Sequence, residues 1–278
     1  PRRAQGTLMK PLVYDVGMHN GADTDFYLRK GFDVVAIEAN PHYVARARER
    51  FAAEIAEGRL VIHDVALTET AGEVSFFVHE HHGWSRLDVD LDHRFPEGTY
   101  QEIRVRGMPF QDIVRGHRAP YYVKLDIEGP ERMVIGQMFS AAVRPPYLSF
   151  EANLETEPIL ELLEANGYGE FQLLGQLDKS WIRLPSPPLE GNYCDVRFDT
   201  LMSGPFGREL PGRWVTARAL REQLDAHAAR VREGDPVAKN EWHDVHARRT
   251  AEPARRRFFD LAGSLARFRH RRPSVSAG

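Results

Sequence analysis

Cysteine is nearly absent: Cys194 is the only one in 278 residues. That excludes an internal disulfide framework and fits a reducing, cytoplasmic setting. Within the strand-like run NYCDVRF it reads as a small core or half-buried residue. Long apolar runs are also missing; nothing reaches the roughly 18 residues a membrane span needs, and no signal-peptide pattern opens the chain. A formal net charge of −3 carries no polyanion-binding signature, so no nucleic-acid partner is expected. The charge is unevenly spread, however. From His246 to Gly278 nine arginines face only Glu252 and Asp260, so an acidic body precedes a basic tail.

The composition, 42% hydrophobic and 28% charged, is that of a globular chain able to bury a core. After an N-terminal tail, residues 1–10, short apolar runs alternate with helical patterns. Leu12–Val16, Asp33–Ile37, Leu60–His63, Tyr121–Asp126 and Tyr147–Glu151 read as strands, with Phe171–Leu174 and Tyr193–Phe198 as a late pair. Helices are expected over Ala22–Lys30, from Pro41, after Gly129 and over Thr156–Asn166. Strands separated by helices predict right-handed crossovers and an α/β, doubly wound, mainly parallel sheet. Val74–Arg106 breaks that rhythm with two β-like runs, Val74–Val78 and Glu102–Val105, and reads as an insertion over the sheet's carboxyl edge. The body is expected to end near Thr200. Leu201–Ala247 reads as an appendage and residues 248–278 as a basic, helical or disordered tail.

The first turn, YDVGMHNGAD, places Asp15, Gly17 and Gly21 between a strand and a helix. Glycines let backbone approach a ligand closely, and a helix N-terminus offers unpaired N–H groups; an ordinary tight turn would also use them. The turn lacks the G-x-G-x-x-G of dinucleotide sites, which weighs against an NAD(P)-dependent oxidoreductase. Glu38 tips the second strand 21 residues after Gly17, close to the spacing of about 20 at which an acid takes ribose hydroxyls. His63 and Asp64 tip the third strand, where a base edge is read or a loop capped. The three tips describe a nucleoside pocket without a pyrophosphate feature. A nucleoside with a short charged amino-acid end suits it.

YDVGMHNGADTDFYLRKGFDVVAIEANP, HDVALTETAG and VKLDIEGPE, in that order, resemble the FkbM-type S-adenosylmethionine-dependent methyltransferases, and K-x-D-x-E-G is the most specific element. The likeness runs from about Leu12 to Phe198. It implies a class I methyltransferase (Rossmann-like) sheet of seven strands, the last antiparallel, and S-adenosylmethionine as cofactor. It also implies methyl transfer, usually to an oxygen of a sugar or natural product. On this resemblance Asp15, Gly17, His19, Asn20 and Gly21 cradle the methionine part, and Glu38 binds ribose with Asn40 beside it. Asp64, Val65 and Ala66 form the adenine-side turn, and Lys124, Asp126 and Glu128 match the signature. Met18 and His19 stand where smaller residues are more familiar.

Alternation along a strand puts Lys124, Asp126 and Glu128 on one side, where donor and acceptor meet. Asp126 is the first candidate for the base or for holding the acceptor hydroxyl, with Lys124 keeping it ionised or touching the substrate and Glu128 near the substrate; a structural ion pair fixing the Gly129 turn would use the same carboxylates. Glu151 is a second base by the same strand-tip logic, and His63 or a loop histidine a third. The run HEHHGWSRLDVDLDH matches no metal spacing and reads as a lid over the acceptor, with Trp84 and Ser85 as contacts; no metal is expected. EWHDVHARR predicts a helix presenting Trp242, His243 and His246 on one face. The sequence therefore points to O-methylation of a sugar or glycosylated metabolite in natural-product biosynthesis. An amine acceptor is the near variant, and an oxidoreductase or a non-catalytic nucleoside-binding module the rival classes. The partner is a small-molecule acceptor, with homo-oligomerisation left open.

Overall fold

The computed structural model describes residues 10–79, 85–87 and 100–250. Its centre is a seven-stranded sheet formed by β1 (Leu12–Val16), β2 (Asp33–Glu38), β3 (Leu60–Asp64), β7 (Tyr122–Leu125), β8 (Tyr147–Glu151), β9 (Tyr168–Gly175) and β10 (His243–Arg249). The spatial order is β3-β2-β1-β7-β8-β10-β9. Neighbours from β3 to β8 pair in parallel, while β10 is antiparallel to both β8 and β9. The last strand in the chain is thus the reversed one, as the resemblance implies.

Every residue of β1 is buried, as a parallel strand covered on both faces requires. Its side chains divide between two cores. Leu12, Tyr14 and Val16 join one, with helices α4 (Phe110–Arg115), α5 (Glu131–Ser140), α6 (Thr156–Ala165) and α7 (Ala217–Arg232). Val13 joins the other, with α1 (Ala22–Arg29) and α2 (Pro41–Arg50). Asn40 caps α2 by accepting from the His42 N–H at 3.0 Å, and Pro41 sits where its missing N–H costs nothing. Short helices α3 (Ala52–Ala56) and α8 (Pro236–Asn240) complete the α-helices among the described residues, with a 3-10 turn at Gly207–Glu209. The expected insertion is a hairpin, β5 (Gly72–His79) with β6 (Tyr100–Met108), and β4 (Ala66–Leu67) lies alongside β6.

Three expectations are corrected. NYCDVRF is not a strand. Its alternation is real, since Cys194 and Phe198 are buried, but they pack in the core beneath α1, with Phe198 edge-on to Phe26, instead of joining a ladder. EWHDVHARR is not helical: His243–Arg249 is strand β10, whose Val245 and Ala247 enter one core while Asp244 and His246 face the other way. Segment 201–247, read as an appendage, thereby supplies an inner strand of the central sheet. The tail 251–278 and the histidine-rich stretch at 80–84 and 88–99 lie outside the described residues. Among the described residues no helix is long and apolar enough to cross a membrane.

Candidate active site

Parallel strands bring their carboxyl ends to one edge, and a cavity of about 510 Å³ opens there. Gly17 starts its floor. With φ at 85° it turns the chain out of β1, and a Cβ on it would meet the Asp126 carbonyl oxygen. His19 follows at φ 51°, donating its N–H to Glu38 Oε2 at 2.7 Å and its ring Nε2 facing the Tyr43 hydroxyl at 3.0 Å. Asn20 and Gly21 shape this turn and are not on the cavity wall: the Asn20 side chain accepts from the Ala22 N–H, and Gly21 caps α1.

Glu38 is fixed from both sides, because its other oxygen accepts from the Asn40 N–H at 2.7 Å. Burial pushes its carboxyl up to about 6, against the pull of those two N–H groups. Val65 and Ala66 line the neighbouring wall. Asp64 does not; its half-exposed carboxylate faces Arg48 at 3.5 Å. His63 also lies off the wall, its Nε2 2.9 Å from that of His117.

A charge cluster is built into the floor, with Asp23, Lys124 and Asp126 on the cavity wall. Lys124 Nζ stands 3.4 Å from Asp15, 3.3 Å from Asp23 and 3.4 Å from Asp126, and donates to the Gly17 carbonyl at 3.0 Å. Burial alone would lower the Lys124 pKa, yet Asp15, Asp126 and Asp23 outweigh it and hold the ammonium well above its ordinary value. Asp15 is fully buried, accepts from the Thr24 hydroxyl at 2.5 Å and is pushed up to about 6 by its burial. It supports the turn from beneath and does not line the cavity.

Strand β7 ends at Leu125, so Asp126 and Glu128 project from a turn instead of extending the strand, and Glu128 takes φ 57°. The turn is tied by the Glu131 carboxylate, which accepts from the N–H groups of Ile127 and Gly129. Glu128 pairs with Arg86 at 3.1 Å. Glu151, at the tip of β8, is raised to about 9 by burial first and then by Glu128 and Asp126. Ser85 reaches the wall; Trp84 lies outside the described residues.

Sequence reasoning missed the wall built by the C-terminal third. Because β10 runs antiparallel, its first residues come to the carboxyl edge, and Asp244 pairs in register with Glu151. Asp244 is raised to about 8, by burial and then by Asp126. Trp242, Gln176 and the stretch Thr200–Ser203 complete this wall. The signal was the alternation in HDVHARR, which competes with a helical spacing of its aromatic and imidazole groups.

Residues 15–169 match the model of the methyltransferase FkbM domain. The chain belongs to the FkbM methyltransferase family. No curated protein matches it. Among solved structures, the FkbM methyltransferase of Methylobacillus flagellatus KT is 18% identical over 56% of this chain and 37% of its own, with a TM-score of 0.39. A SAM-dependent O-methyltransferase from Thermotoga maritima is 11% identical over 88% of this chain and 61% of its own, at a TM-score of 0.40. An rRNA methylase from Streptococcus thermophilus is 9% identical over 87% and 88%, at 0.37. This FkbM chain therefore spans only 37% of the length of the first of these structures. Membership in the family implies S-adenosylmethionine as cofactor. The residues present suit it: a glycine turn whose missing Cβ lets backbone close in, a buried carboxylate fixed by two N–H groups, and apolar walls from Val65 and Ala66.

Proposed function

We propose that the protein transfers a methyl group from S-adenosylmethionine to a hydroxyl of a sugar or glycosylated metabolite, in natural-product biosynthesis within the cytoplasm. The observation that carries this reading is the shared cavity of Glu38 and Asp126, one at the tip of β2 and the other just beyond β7. Glu38 would take the ribose hydroxyls, the turn from Gly17 to His19 the methionine part, and Val65 with Ala66 the adenine face. When bound, the cofactor would supply a methyl carbon on a sulfonium, open to in-line attack by an oxygen lone pair, with the S–C bond breaking and the neutral thioether S-adenosylhomocysteine leaving.

The chain's own residues would position the acceptor and receive its proton. Asp126, half-exposed at the cavity and ion-paired with buried Lys124, is set to hold the hydroxyl and take that proton as the new O–C bond forms. Glu151 is the second candidate base, able to take a proton only once its own, held by the raised value, has been lost, and Ser85 and Glu128 would contact the acceptor. An amine acceptor is a second reading, favoured by the acidic wall of Asp126, Glu128, Glu151 and Asp244.

Calorimetry with S-adenosylhomocysteine, together with labelled-methyl transfer to a panel of glycosides, tests the proposal. Asp126→Asn should keep homocysteine-nucleoside affinity and lose on the order of 10²–10⁴ in transfer rate. Unchanged binding in Glu38→Gln would place the cofactor elsewhere and remove the assignment.

A further inference from the structure

The strand tips hold more negative charge than the reading above uses. β7 and β8 pair with Leu125 opposite Phe150, so the next residues, Asp126 and Glu151, emerge side by side. With Glu128 they offer three carboxylate oxygens that all lie within 4.8 Å of one another. Hard cations hold oxygen ligands at about 2.0–2.6 Å, so oxygens on opposite sides of one ion stand about 4–5 Å apart. The cluster has the span of a single coordination shell.

Acidic groups at an edge often mean nothing, and a separate observation points to a ligand here. Asp244 is nine-tenths buried, lines the same cavity and has no hydrogen bond or ion pair among the described residues. It sits directly across from Glu151, whose carboxylate also lacks one. Burying a carboxylate without a partner is costly. Among the described residues Lys124 is engaged by Asp15, Asp23 and Asp126, and Arg86 by Glu128, while Lys239 also lines the cavity and pairs with neither Asp244 nor Glu151. What remains is a pair of carboxyl groups facing one space, whose charged forms a bound dication would stabilise by displacing their protons.

We propose that Asp126, Glu128 and Glu151 bind one divalent cation, with Asp244 supporting it from behind Glu151. An all-carboxylate donor set selects Mg²⁺, Mn²⁺ or Ca²⁺ over softer ions. Three protein oxygens leave coordination positions open toward the cavity, for water and for the acceptor hydroxyl, whose proton a bound cation makes easier to remove. This proposal departs from the expectation of no metal drawn from the sequence, and its ligands come from segments outside the histidine-rich loop. Binding of the cation stands on the carboxylates; its part in catalysis rests on the methyl-transfer reading.

The test uses the full chain, stripped with EDTA and titrated with MnCl₂ while free Mn²⁺ is followed by electron paramagnetic resonance. One site per chain is expected, displaced by Mg²⁺, and weakened about tenfold or more in Glu151→Gln and in Asp244→Asn. These variants should keep S-adenosylhomocysteine binding, whereas Glu38→Gln should weaken it about tenfold or more and keep the Mn²⁺ site. Wild-type protein that retains no Mn²⁺, or retains it equally in Glu151→Gln, overturns the proposal without recourse to any other variant. Full nucleoside binding without Mn²⁺ binding would sink the cation and leave the methyltransferase reading intact. Mn²⁺ binding in a protein that methylates no hydroxyl would do the reverse. Transfer that runs undiminished in EDTA removes the catalytic part.

Discussion

A Cβ placed on Gly17 would stand 1.8 Å from the carbonyl oxygen of Asp126. The turn that leaves β1 rests directly on the turn that leaves β7, so the two halves of the site share one contact. The residue also sits at φ 85°, where a side chain is strained regardless of space. Gly17→Ala should therefore lower stability by about 1–3 kcal/mol and displace the floor of the cavity. Urea denaturation measures the first effect and S-adenosylhomocysteine calorimetry the second. Wild-type values in both would show that the two turns are not in contact.

Lys124 is the single cation among three carboxylates, two of them buried. Its removal strands Asp15 and Asp23 without a counter-charge, and breaking a buried pair from one side costs about 3–5 kcal/mol. Lys124→Met should shift the denaturation midpoint by that much. Loss of activity alone would not discriminate, because a purely catalytic lysine would cost rate and leave the midpoint in place.

Glu38 gives the site a pH dependence of definite sign. Its carboxyl is raised by burial from 4.5 to about 6. Its contribution to the stability of the free protein is fully present below the ordinary value and is lost as pH rises through 6. On the proposal that charged Glu38 accepts the ribose hydroxyls, cofactor affinity should hold above pH 6 and fall about tenfold per pH unit below it. Asp15 titrates in the same range beside Lys124, so Glu38→Gln should leave a shallower slope and not a flat line. Affinity that rises on acidification would contradict the assignment of this carboxylate.

The sheet and its first four tips could be read from the sequence because buried parallel strands are continuous apolar runs and the special turns need glycine. β10 could not. An inner strand should be apolar throughout, yet this one spends alternate positions on Asp244 and His246, one at the cavity and one unpartnered at its ring Nε2 in the interior. Its own pattern is thus diluted by the groups that serve the site. NYCDVRF erred in the opposite direction, since half-burial against helix α1 produces the same period of two as pairing in a sheet. Asp64 misled for a third reason: a strand tip fixes a residue's place, while its side chain is free to turn outward to Arg48.

The stretch joining β9 to α7 walls the cavity through Thr200–Ser203, and it is anchored by a buried pair outside the cavity lining. Lys30 and Glu209 meet at 2.6 Å with essentially no exposure. The second Glu209 oxygen accepts from the N–H groups of Leu189 and Glu190. Lys30→Met leaves that carboxylate charged, buried and short of a partner, which should cost about 3–5 kcal/mol. Adding Glu209→Gln removes the charge while an amide oxygen still accepts from the two N–H groups, so the double variant should recover most of the loss. The wall is also tied to the floor, because the Ser203 N–H donates to both oxygens of Asp23 at 3.0 Å. Loosening the anchor should raise the KM for the acceptor more than the dissociation constant for S-adenosylhomocysteine, which the proposal places against Glu38, Val65 and Ala66. Denaturation midpoints of the two single variants and the double variant close the cycle. Additive losses in place of recovery would mean that the pair does not hold this stretch in place.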